Sequence, residues 1–524
     1  MTTKNKWHKT VADDELKEGT PLGARIGTRA VFLARVEGRI CAMGGKCSHY
    51  GGPLEKGRLQ GQAVTCPWHT ARFDVRSGRV LAPPALDDLP RYETKVEAGD
   101  VYVRKVPAGA LSAPRGKDDT TVLILGAGAG GVSAALALRR NGFAGKVIMA
   151  TAEADLPYDR PSLSKGFLAG DTPRAELALE PEPVYLELGI EILGEHRATG
   201  IDRQKKTVSF SNRHKVRYDK LLLATGGLPR VPAIKGARRR GAFVLRSLRD
   251  ADAIIAALSG AETVAVIGGS FLGLEVAASL RSRGLEVHVV APETILMARV
   301  FGAEIGGFLK RKHEEQGVVF HLGKTAVEIL GGRKVSGVLL SDGSRIAAQV
   351  VIAGIGVVPA VGYLETSGLV VNGAVPVDAG FRTRDPDVFA VGDIALIPDP
   401  LTGEARRVEH WVEAERQGRH AALGLAGVEE AYREIPFFWT NQHDVSIKYA
   451  GYAGSFDRVV LRGDLEEEKA LAGYYREGAL RAVASLGRTK EFLTALEVLK
   501  AGGGIPLSRF EDLAVDLGLL DLRA

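Results

Sequence analysis

The chain has 524 residues, enough for three or four domains, because a single hydrophobic core rarely grows beyond about 250–300 residues. Its 45% hydrophobic and 25% charged residues are typical of a globular protein, and a net charge of +6 is too small for this length to indicate nucleic-acid binding. Three cysteines are too few for a disulfide framework, so the composition favours a reducing compartment and predicts a cytoplasmic location.

Neither a signal peptide nor a membrane span is expected. The first ten residues carry charge but lack the apolar stretch of a secretory signal. The segment 121–138 is uncharged and long enough by the usual rule to cross a bilayer. Its glycines, however, fall in a strand–turn–helix pattern, which favours a buried nucleotide-binding fold instead.

Residues 1–107 show the pattern of a small all-β domain. Short strand-like runs, such as 30–34 and 100–103, are separated by frequent glycines. The next segment, 108–119, is rich in Pro, Gly, Ser and Ala and is predicted to be a linker.

Two short motifs in this domain predict an iron–sulfur centre. Cys47 and His49 form a C-x-H loop, and Cys66 and His69 form a C-x-x-H loop further along the chain. Two thiolates on one iron and two imidazoles on the other make the mixed ligation that defines a Rieske [2Fe–2S] centre. A zinc site is the alternative, but Cys₂His₂ zinc sites have a different spacing. The four residues are therefore predicted to ligate the cluster.

These motifs resemble those of the ferredoxin-type Rieske proteins, over roughly the first 107 residues. The respiratory-complex type adds a disulfide between the two loops and has Ser and Tyr hydroxyls that donate to the cluster. Here Gly52 and Trp68 stand at the positions of those cysteines, and Ala71 and Phe73 at those of the hydroxyls. Because donors stabilise the reduced cluster, their loss predicts a reduction potential near the low end of the Rieske range.

From residue 120 the pattern changes to strand, glycine turn and amphipathic helix. A G-x-G-x-x-G sequence follows the strand 121–125 and opens a helix, where backbone N–H groups approach a pyrophosphate. A carboxylate at the end of the next strand is placed to bind a ribose. The predicted dinucleotide site consists of Gly126, Gly128, Ala129, Gly130, Gly131 and Glu153.

A second strand–turn–helix pattern occupies residues 263–293, so the chain is expected to bind two dinucleotides. Its turn includes Gly268 and Gly273, with Ser270 at the middle glycine position, a small residue that weakens the match without destroying it. Glu293 follows the next strand and has no arginine immediately after it. A carboxylate there suits a ribose hydroxyl and repels a 2′-phosphate, which predicts NADH, with NADPH as the alternative.

Three further segments complete the pattern of a flavoprotein with two dinucleotide sites: 223–227, 352–356 and 389–393, which contain Ala224, Thr225, Gly226, Gly356 and Asp393. With them, residues 120–450 resemble the ferredoxin-reductase branch of the pyridine-nucleotide–disulfide oxidoreductases. The whole arrangement is similar to Rieske-fused, apoptosis-inducing-factor-like proteins. This resemblance implies FAD at the first glycine turn, NAD(P)H at the second, and Asp393 on the ribityl chain of FAD.

The same resemblance places residues beside the flavin. Segment 157–165 matches the family segment whose arginine and lysine lie along FAD, which implies that Arg160, Pro161 and Lys165 bind it. Lys165 is expected to pair with Glu275 beside the flavin ring; the alternative is a surface lysine and an unrelated helix carboxylate. Positions near the ring are matched by Glu409, His410, Trp411 and Trp439, although tryptophans also serve as core residues. The residues expected to act in catalysis are Lys165, Glu275 and Trp411.

The expected architecture is an all-β Rieske domain, two Rossmann-like α/β dinucleotide-binding domains of the glutathione-reductase-like kind, and a C-terminal α+β domain. The expected boundaries are 1–107 for the Rieske domain, 108–119 for the linker, 120–244 and 367–429 for the two parts of the FAD-binding domain, 245–366 for the NAD(P)H-binding domain, and 430–524 for the C-terminal domain.

All three cysteines lie in the first domain, so thiol chemistry beside the flavin is excluded. We therefore expect an FAD-dependent NAD(P)H oxidoreductase of the ferredoxin-reductase type. It would pass electrons from NADH through FAD to the fused cluster and on to an external acceptor, an oxygenase or another redox protein. The chain is expected to be a monomer or a homodimer.

Two other functions were weighed. A Rieske oxygenase is excluded, because no two histidines outside the cluster motifs have the close spacing of that family's mononuclear iron site. A redox-responsive, apoptosis-inducing-factor-like binding protein with slow turnover remains the alternative.

Overall fold

The computed structural model describes residues 6–107, 114, 116 and 118–519. The predicted linker 108–119 therefore lies largely outside the described residues. The described chain packs into two compact units. The first unit contains the residues up to 107, Arg488–Gly503 and the residues from 514 onward; the second contains residues 114–487 and Gly504–Leu513.

Two antiparallel sheets form the N-terminal part of the first unit. Their strands are β1 (His8–Ala12), β2 (Leu22–Ile26), β3 (Arg29–Val36), β4 (Arg39–Gly44), β5 (Arg58–Gln60), β6 (Ala63–Thr65), β7 (Arg72–Asp74), β8 (Val80–Ala82), β9 (Arg91–Glu97) and β10 (Asp100–Lys105). The sheet orders are β1–β10–β9–β4–β3–β2 and β5–β6–β7–β8. One apolar core joins them, with Phe32 and Met43 from the larger sheet and Val64 and Phe73 from the smaller. The predicted all-β domain is confirmed.

The second unit begins with a strand, a glycine turn and a helix, as the sequence predicts. Its first elements are β11 (Thr121–Leu125), α1 (Ala129–Arg140), β12 (Lys146–Ala150), α2 (Gly166–Ala169), α3 (Glu182–Glu187), β13 (Ile190–Leu193), β14 (Ala198–Asp202), β15 (Thr207–Phe210), β16 (Lys215–Arg217), β17 (Lys220–Leu223) and β18 (Gly227–Pro229). Strand β11 is apolar and almost wholly buried, as expected for a central parallel strand with helices on its faces.

The second strand–turn–helix pattern forms a similar fold. Its elements are β19 (Ala242–Val244), α4 (Leu248–Ala257), β20 (Thr263–Ile267), α5 (Phe271–Ser282), β21 (Glu286–Ala291), α6 (Ala298–Glu315), β22 (Val318–Leu322), β23 (Ala326–Gly331), β24 (Val335–Leu340), β25 (Arg345–Ala347) and β26 (Val350–Ala353). The parallel sheet has the order β19–β26–β20–β21–β22. Both predicted Rossmann-like folds are therefore present.

The chain then returns to the first parallel sheet. The next elements are β27 (Val357–Pro359), β28 (Val375–Pro376), β29 (Val388–Ala390), β30 (Ala395–Pro398), β31 (Ala405–Arg406) and α7 (Trp411–Leu425). Strand β29 completes the order β13–β12–β11–β17–β29. Two separated chain segments thus build one dinucleotide fold.

The C-terminal segment contains β32 (Phe437–Gln442), β33 (Val445–Gly451), β34 (Arg458–Asp464), β35 (Lys469–Arg476), β36 (Ala479–Leu486), α8 (Thr489–Lys500) and α9 (Leu507–Glu511). Its five strands form an antiparallel sheet of order β32–β33–β36–β35–β34 within the second unit. Helix α8 packs instead in the first unit, where Arg58 Nη1 donates to Thr494 Oγ1 at 2.6 Å. The packing thus divides a segment that the sequence pattern treated as one domain.

None of the helices in the described part of the chain is both long enough and apolar enough to cross a membrane.

Candidate cofactor sites

Two loops bring the predicted cluster ligands together as a thiol pair and an imidazole pair. The thiol of Cys47 is hydrogen-bonded to that of Cys66, and Nδ1 of His49 lies 3.1 Å from Nδ1 of His69. A Rieske centre gives each iron only two protein ligands, so two pairs fit it better than one converging set. Within the described ranges, no group of three or more His, Cys, Asp or Glu side chains is placed to hold a single metal ion.

The two cluster loops touch at Gly52. A Cβ atom there would lie 2.8 Å from Cys66 Sγ and 3.3 Å from the ring of Trp68. The carbonyl of Gly52 accepts a hydrogen bond from the Cys47 N–H at 2.9 Å. A glycine–tryptophan contact therefore occupies the place where the resemblance puts a bracing disulfide in other Rieske proteins.

The two positions expected to lack donor hydroxyls are buried in the Rieske core. Ala71 and Phe73 are fully buried, and the carbonyl of Ala71 accepts from the Cys66 N–H at 2.7 Å. Thr70 lies between the loops and the core, but its hydroxyl donates to the carbonyl of His69 at 2.7 Å. The side chains at 71 and 73 therefore supply no hydrogen bond to a cluster.

A cavity of about 1020 Å³ opens in the second unit. Sixteen of the predicted site residues line it: Gly126, Gly128, Ala129, Gly130, Glu153, Arg160, Pro161, Lys165, Ala224, Thr225, Gly226, Glu275, Asp393, Glu409, His410 and Trp411. Trp439 also lines it. Gly131 does not, because it packs against the carbonyl of Gly126 behind the turn. The size and lining of the cavity suit a large, elongated ligand such as a dinucleotide.

The glycine turn at the start of α1 leaves backbone open to this cavity. Gly126 has φ +111, and a Cβ atom there would lie 2.2 Å from the carbonyl oxygen of Ala224. A Cβ atom at Gly128 would meet open space, which leaves room for a ligand to approach the helix N-terminus. Backbone N–H groups and the helix dipole favour a pyrophosphate at such a place, so the residues present fit a dinucleotide.

Glu153 lies at the edge of the cavity in a half-buried polar cluster. Its Oε2 accepts from the Tyr158 hydroxyl at 2.6 Å, and its Oε1 accepts from Arg160 Nη2 at 2.5 Å. Burial raises the pKa of the Glu153 carboxyl, but the Arg160 guanidinium and the Tyr158 hydroxyl outweigh it, so the pKa lies below its ordinary value. The carboxylate is therefore held ionised and fixed in position.

Lys165 and Glu275 lie together in the cavity wall, as expected. Lys165 Nζ is 2.8 Å from Glu275 Oε2, which also accepts from the Ser164 hydroxyl at 2.7 Å. Glu275 Oε1 accepts from the Thr440 hydroxyl at 2.8 Å. Glu275 is 7% exposed, so three donors share the cost of burying its charge.

Asp393 lines the cavity at the start of a short helical turn. Its Oδ2 accepts from Arg246 Nη2 at 3.1 Å, and its backbone carbonyl accepts from Arg407 Nη1 at 2.9 Å. The preceding Gly392 N–H donates to Gln417 Oε1 at 2.7 Å, which joins this turn to α7. Arg246 thus holds the carboxylate directly, while Arg407 and Gln417 fix the backbone turn that carries it.

The segment before α7 brings a short aromatic group to the cavity. The ring of His410 packs on Phe438 with centroids 4.4 Å apart, and Trp411 Nε1 donates to Glu415 Oε1 at 3.0 Å. Burial, reinforced by the positive charge of Arg406, lowers the pKa of His410 to about 4. Glu409 is exposed and pairs with Arg407 Nη1 at 2.6 Å.

The predicted glycines of the second turn do not line this cavity, although Phe271 and Leu272, which begin α5 beside them, do. Ser270 Oγ donates to the Gly354 carbonyl at 2.7 Å and accepts from the Gly273 N–H at 3.2 Å, so it caps α5. Its hydroxyl is thereby turned into the protein, which explains why a serine fits at the middle glycine position. Four residues predicted for the second dinucleotide site do not line the cavity: Gly268, Gly273, Gly356 and Glu293. Glu293 is exposed two residues beyond the end of β21.

Comparison with known proteins identifies the fold. A family described as pyridine nucleotide-disulphide oxidoreductase matches residues 120–418. The chain belongs to this family. The Rieske [2Fe–2S] domain matches residues 6–93 of the same chain, and a reductase C-terminal domain matches residues 437–520.

Relatives of this oxidoreductase include proteins with and without the N-terminal domain. Apoptosis-inducing factor 3 of Homo sapiens is 36% identical over 508 residues, which cover 94% of this chain and 83% of that protein. Putidaredoxin reductase CamA of Pseudomonas putida is 32% identical over 387 residues, which cover 72% and 91% of the two chains. The crystal structure of the ferredoxin reductase for the CYP199A2 system from Rhodopseudomonas palustris is similar, with 34% identity, a TM-score of 0.73, and coverage of 76% and 99%.

Family membership settles the class of chemistry. The chain is an FAD-dependent NAD(P)H oxidoreductase, and its Rieske domain carries a [2Fe–2S] cluster. The glycine turn, the cavity and the two ligand pairs described above all fit these groups.

Tyr158, Arg246 and Thr440 are among the residues of the oxidoreductase site that the sequence did not predict. Tyr158 lies in the segment matched to the family and was given no role, yet its hydroxyl fixes Glu153. Arg246 donates a hydrogen bond to Asp393, which is 147 residues away in sequence. Thr440, on strand β32 of the C-terminal sheet, donates a hydrogen bond to Glu275. Of these three residues, only Tyr158 could have been predicted from the sequence, because it lies two residues before Arg160 in the segment 157–165 that matches the family.

Proposed function

We propose that this oxidoreductase passes electrons from NADH through FAD to its own Rieske cluster and then to an external redox protein. The observation that carries the proposal is the placement of cysteine. Cys41, Cys47 and Cys66 all lie in the first unit, and none of the described residues that line the flavin cavity is a cysteine. A reduced flavin in this cavity has no thiol to receive electrons, so a one-electron carrier in the same chain is the natural recipient.

FAD accepts a hydride from a nicotinamide and gives up electrons one at a time, which matches a two-electron donor to a one-electron cluster. The protein residues would bind and orient the groups. Backbone N–H groups at Gly128 would hold the pyrophosphate, Glu153 a ribose, and Asp393 the ribityl chain. Lys165 would place a positive charge beside the ring, held there by Glu275.

The nicotinamide would be NADH. Glu293 lies just beyond the carboxyl end of β21, where a ribose approaches in this fold. Its side chain is exposed and could accept a hydrogen bond from a ribose hydroxyl. A 2′-phosphate at the same place would meet a negative charge. Ser270 occupies the Gly273 N–H of the first turn of α5, so the remaining N–H groups of that turn would face the pyrophosphate.

The acceptor would be a small iron–sulfur or haem redox protein. Support comes from the relatives, among them a reductase solved as a covalent putidaredoxin reductase–putidaredoxin complex, which is 30% identical with a TM-score of 0.73. Around the cluster ligands, Tyr50 and Trp68 are exposed. We also propose a monomer or homodimer in a reducing, cytoplasmic setting, which suits a chain with too few cysteines for a disulfide framework.

The proposal is tested with a variant that lacks the cluster. Cys66→Ala should retain FAD and its stopped-flow reduction by NADH, but should lose most electron transfer to a one-electron protein acceptor such as cytochrome c. Cys41→Ala, which removes a buried cysteine outside the ligand set, is the matched control and should behave as wild type. Unchanged cytochrome c reduction by Cys66→Ala would refute passage through the cluster.

A second candidate is a redox-responsive binding protein with slow turnover, favoured by the similarity to apoptosis-inducing factor 3 over nearly the whole chain. The two functions differ in the rate of NADH oxidation with an artificial acceptor. Rapid turnover supports the electron-transfer enzyme, whereas slow oxidation with a long-lived complex between the reduced protein and NAD⁺ supports the switch.

A further inference from the structure

A chain of hydrogen bonds leads from Glu275 towards the surface of the second unit. Thr440 Oγ1 donates to Glu275 Oε1 at 2.8 Å, and Gln442 Nε2 donates to Thr440 Oγ1 at 3.1 Å. Gln442 Oε1 lies 2.9 Å from His313 Nε2, and His313 Nδ1 lies 3.2 Å from His443 Nε2. Thr440, Gln442 and His313 are at most 1% exposed, whereas His443 is half-buried.

Three elements that are distant in sequence supply this chain. Glu275 lies on α5, and His313 lies in the last turn of α6. Thr440 and Gln442 are two residues apart on β32 and therefore share one face of its sheet. His443 follows in the turn with φ +55, a left-handed conformation that is unfavourable for a residue other than glycine.

The charge of Glu275 fixes the direction of every hydrogen bond. A carboxylate paired with Lys165 only accepts, so the single hydroxyl proton of Thr440 must point to it. Thr440 then accepts from the amide nitrogen of Gln442, which turns the amide oxygen towards His313. His313 must donate from Nε2, which leaves Nδ1 as an acceptor for His443.

Burial lowers the pKa of His313 to about 4, with the neighbouring His443 acting in the same direction and the Gln442 contact opposing it. The imidazole is therefore neutral near pH 7, as an Nε2 donor with an Nδ1 acceptor must be. Buried polar side chains that do not form a connected chain need only one hydrogen-bond partner each to offset the cost of losing water. Here the three buried members each form hydrogen bonds on two sides, and in each bond of the chain the donor lies on the side away from Glu275.

We propose that Thr440, Gln442, His313 and His443 are positioning residues that hold the Glu275 carboxylate, and through it Lys165, for flavin reduction. The direction of the chain follows from the contacts alone, whereas its effect on flavin reduction rests on the proposed function of the Lys165–Glu275 pair. Thr440→Val, which removes the donor with little change in shape, should slow flavin reduction by NADH about tenfold, because hydrogen bonds to charged groups are the stronger ones.

The direction is tested in the oxidised holoprotein by ¹⁵N NMR with labelled histidine, and His313 is assigned by its loss in His313→Gln. We expect a neutral ring with the proton on Nε2 at pH 7.5. Glu275→Gln introduces a donor at the head of the chain and should shift the His313 population towards the Nδ1–H tautomer. An unchanged tautomer, or a protonated His313 in wild type, would overturn the inferred direction.

The effect is tested by stopped-flow reduction with NADH in Thr440→Val and in Gln442→Leu. The matched control is Ser485→Ala, which alters a buried hydroxyl in the same sheet without a partner among the described residues. We expect slower reduction at saturating NADH in both chain variants, with FAD binding and the control unchanged. If Glu275→Gln is slow but both chain variants react as wild type, the positioning role is wrong. If Glu275→Gln also reacts as wild type, the fault lies in the proposed role of the pair.

Discussion

Gly52 lies against the sulfur of Cys66 so closely that a Cβ atom added to it would be 2.8 Å from Sγ. This contact ties the two cluster loops together in a chain that has no disulfide between them. It requires the smallest residue at a position where any side chain would displace Cys66, a predicted cluster ligand.

Gly52→Ala should therefore lower cluster content, because the added methyl group must push Cys66 Sγ or the loop aside. We expect wild-type protein to contain two irons and one FAD per chain, and the variant to lose most of its iron while keeping FAD. Iron analysis and the visible spectrum measure both. Gly23→Ala is the control, since the atoms nearest to an added Cβ there all belong to the side chain of Glu55. Loss of FAD together with iron would contradict the separate packing of the two sites.

The reduction potential of the cluster should lie near the low end of the roughly −150 to +300 mV range of Rieske centres. Ala71 and Phe73 are fully buried and offer no hydroxyl to stabilise the reduced cluster. Ala71→Ser with Phe73→Tyr should raise the potential, as followed by the EPR signal of the reduced cluster during a redox titration. Ala85→Ser places a hydroxyl elsewhere in the same core and should not. A wild-type midpoint well above zero would show that backbone donors dominate instead.

Glu275→Gln should slow the reduction of bound FAD by NADH at least tenfold, which corresponds to about 1.4 kcal/mol in the barrier. The substitution leaves Lys165 without its anionic partner and so removes the group that orients its charge. Stopped-flow absorbance gives the rate, and titration of the apoprotein gives the affinity for FAD, which should change less. Glu314→Gln breaks an exposed pair with Lys310 and serves as the control. Equal losses in rate and affinity would indicate a binding role.

NADH should be preferred over NADPH, and Glu293→Gln should reduce that preference roughly tenfold by removing one repelled charge, about 1.4 kcal/mol. The kcat/KM ratio for the two nucleotides measures it. Glu262→Gln alters an exposed carboxylate before β20, at the opposite end of the sheet, and should leave the ratio unchanged. A wild-type preference for NADPH would show that another group recognises the ribose.

The sequence predicted the structural features that depend on residues close together in the chain. The cluster loops and the turn at Gly126 are short motifs whose spacing carries their geometry. Contacts between segments that are distant in sequence were harder to predict. The Lys165–Glu275 pair was expected only through family resemblance, and Arg246–Asp393 was missed, because a lone arginine in a loop carries no mark of its partner. An amphipathic pattern shows that α8 buries one face, but not that this face packs in the Rieske unit.

The central claim is that electrons from NADH reach the Rieske cluster through the flavin during turnover. Anaerobic mixing of the holoprotein with NADH, followed by rapid freezing and EPR, measures the growth of the reduced-cluster signal directly. We predict that the signal rises at least as fast as steady-state turnover with a protein acceptor, after flavin bleaching begins. A cluster that stays oxidised while the flavin is reduced and turnover continues would contradict the account.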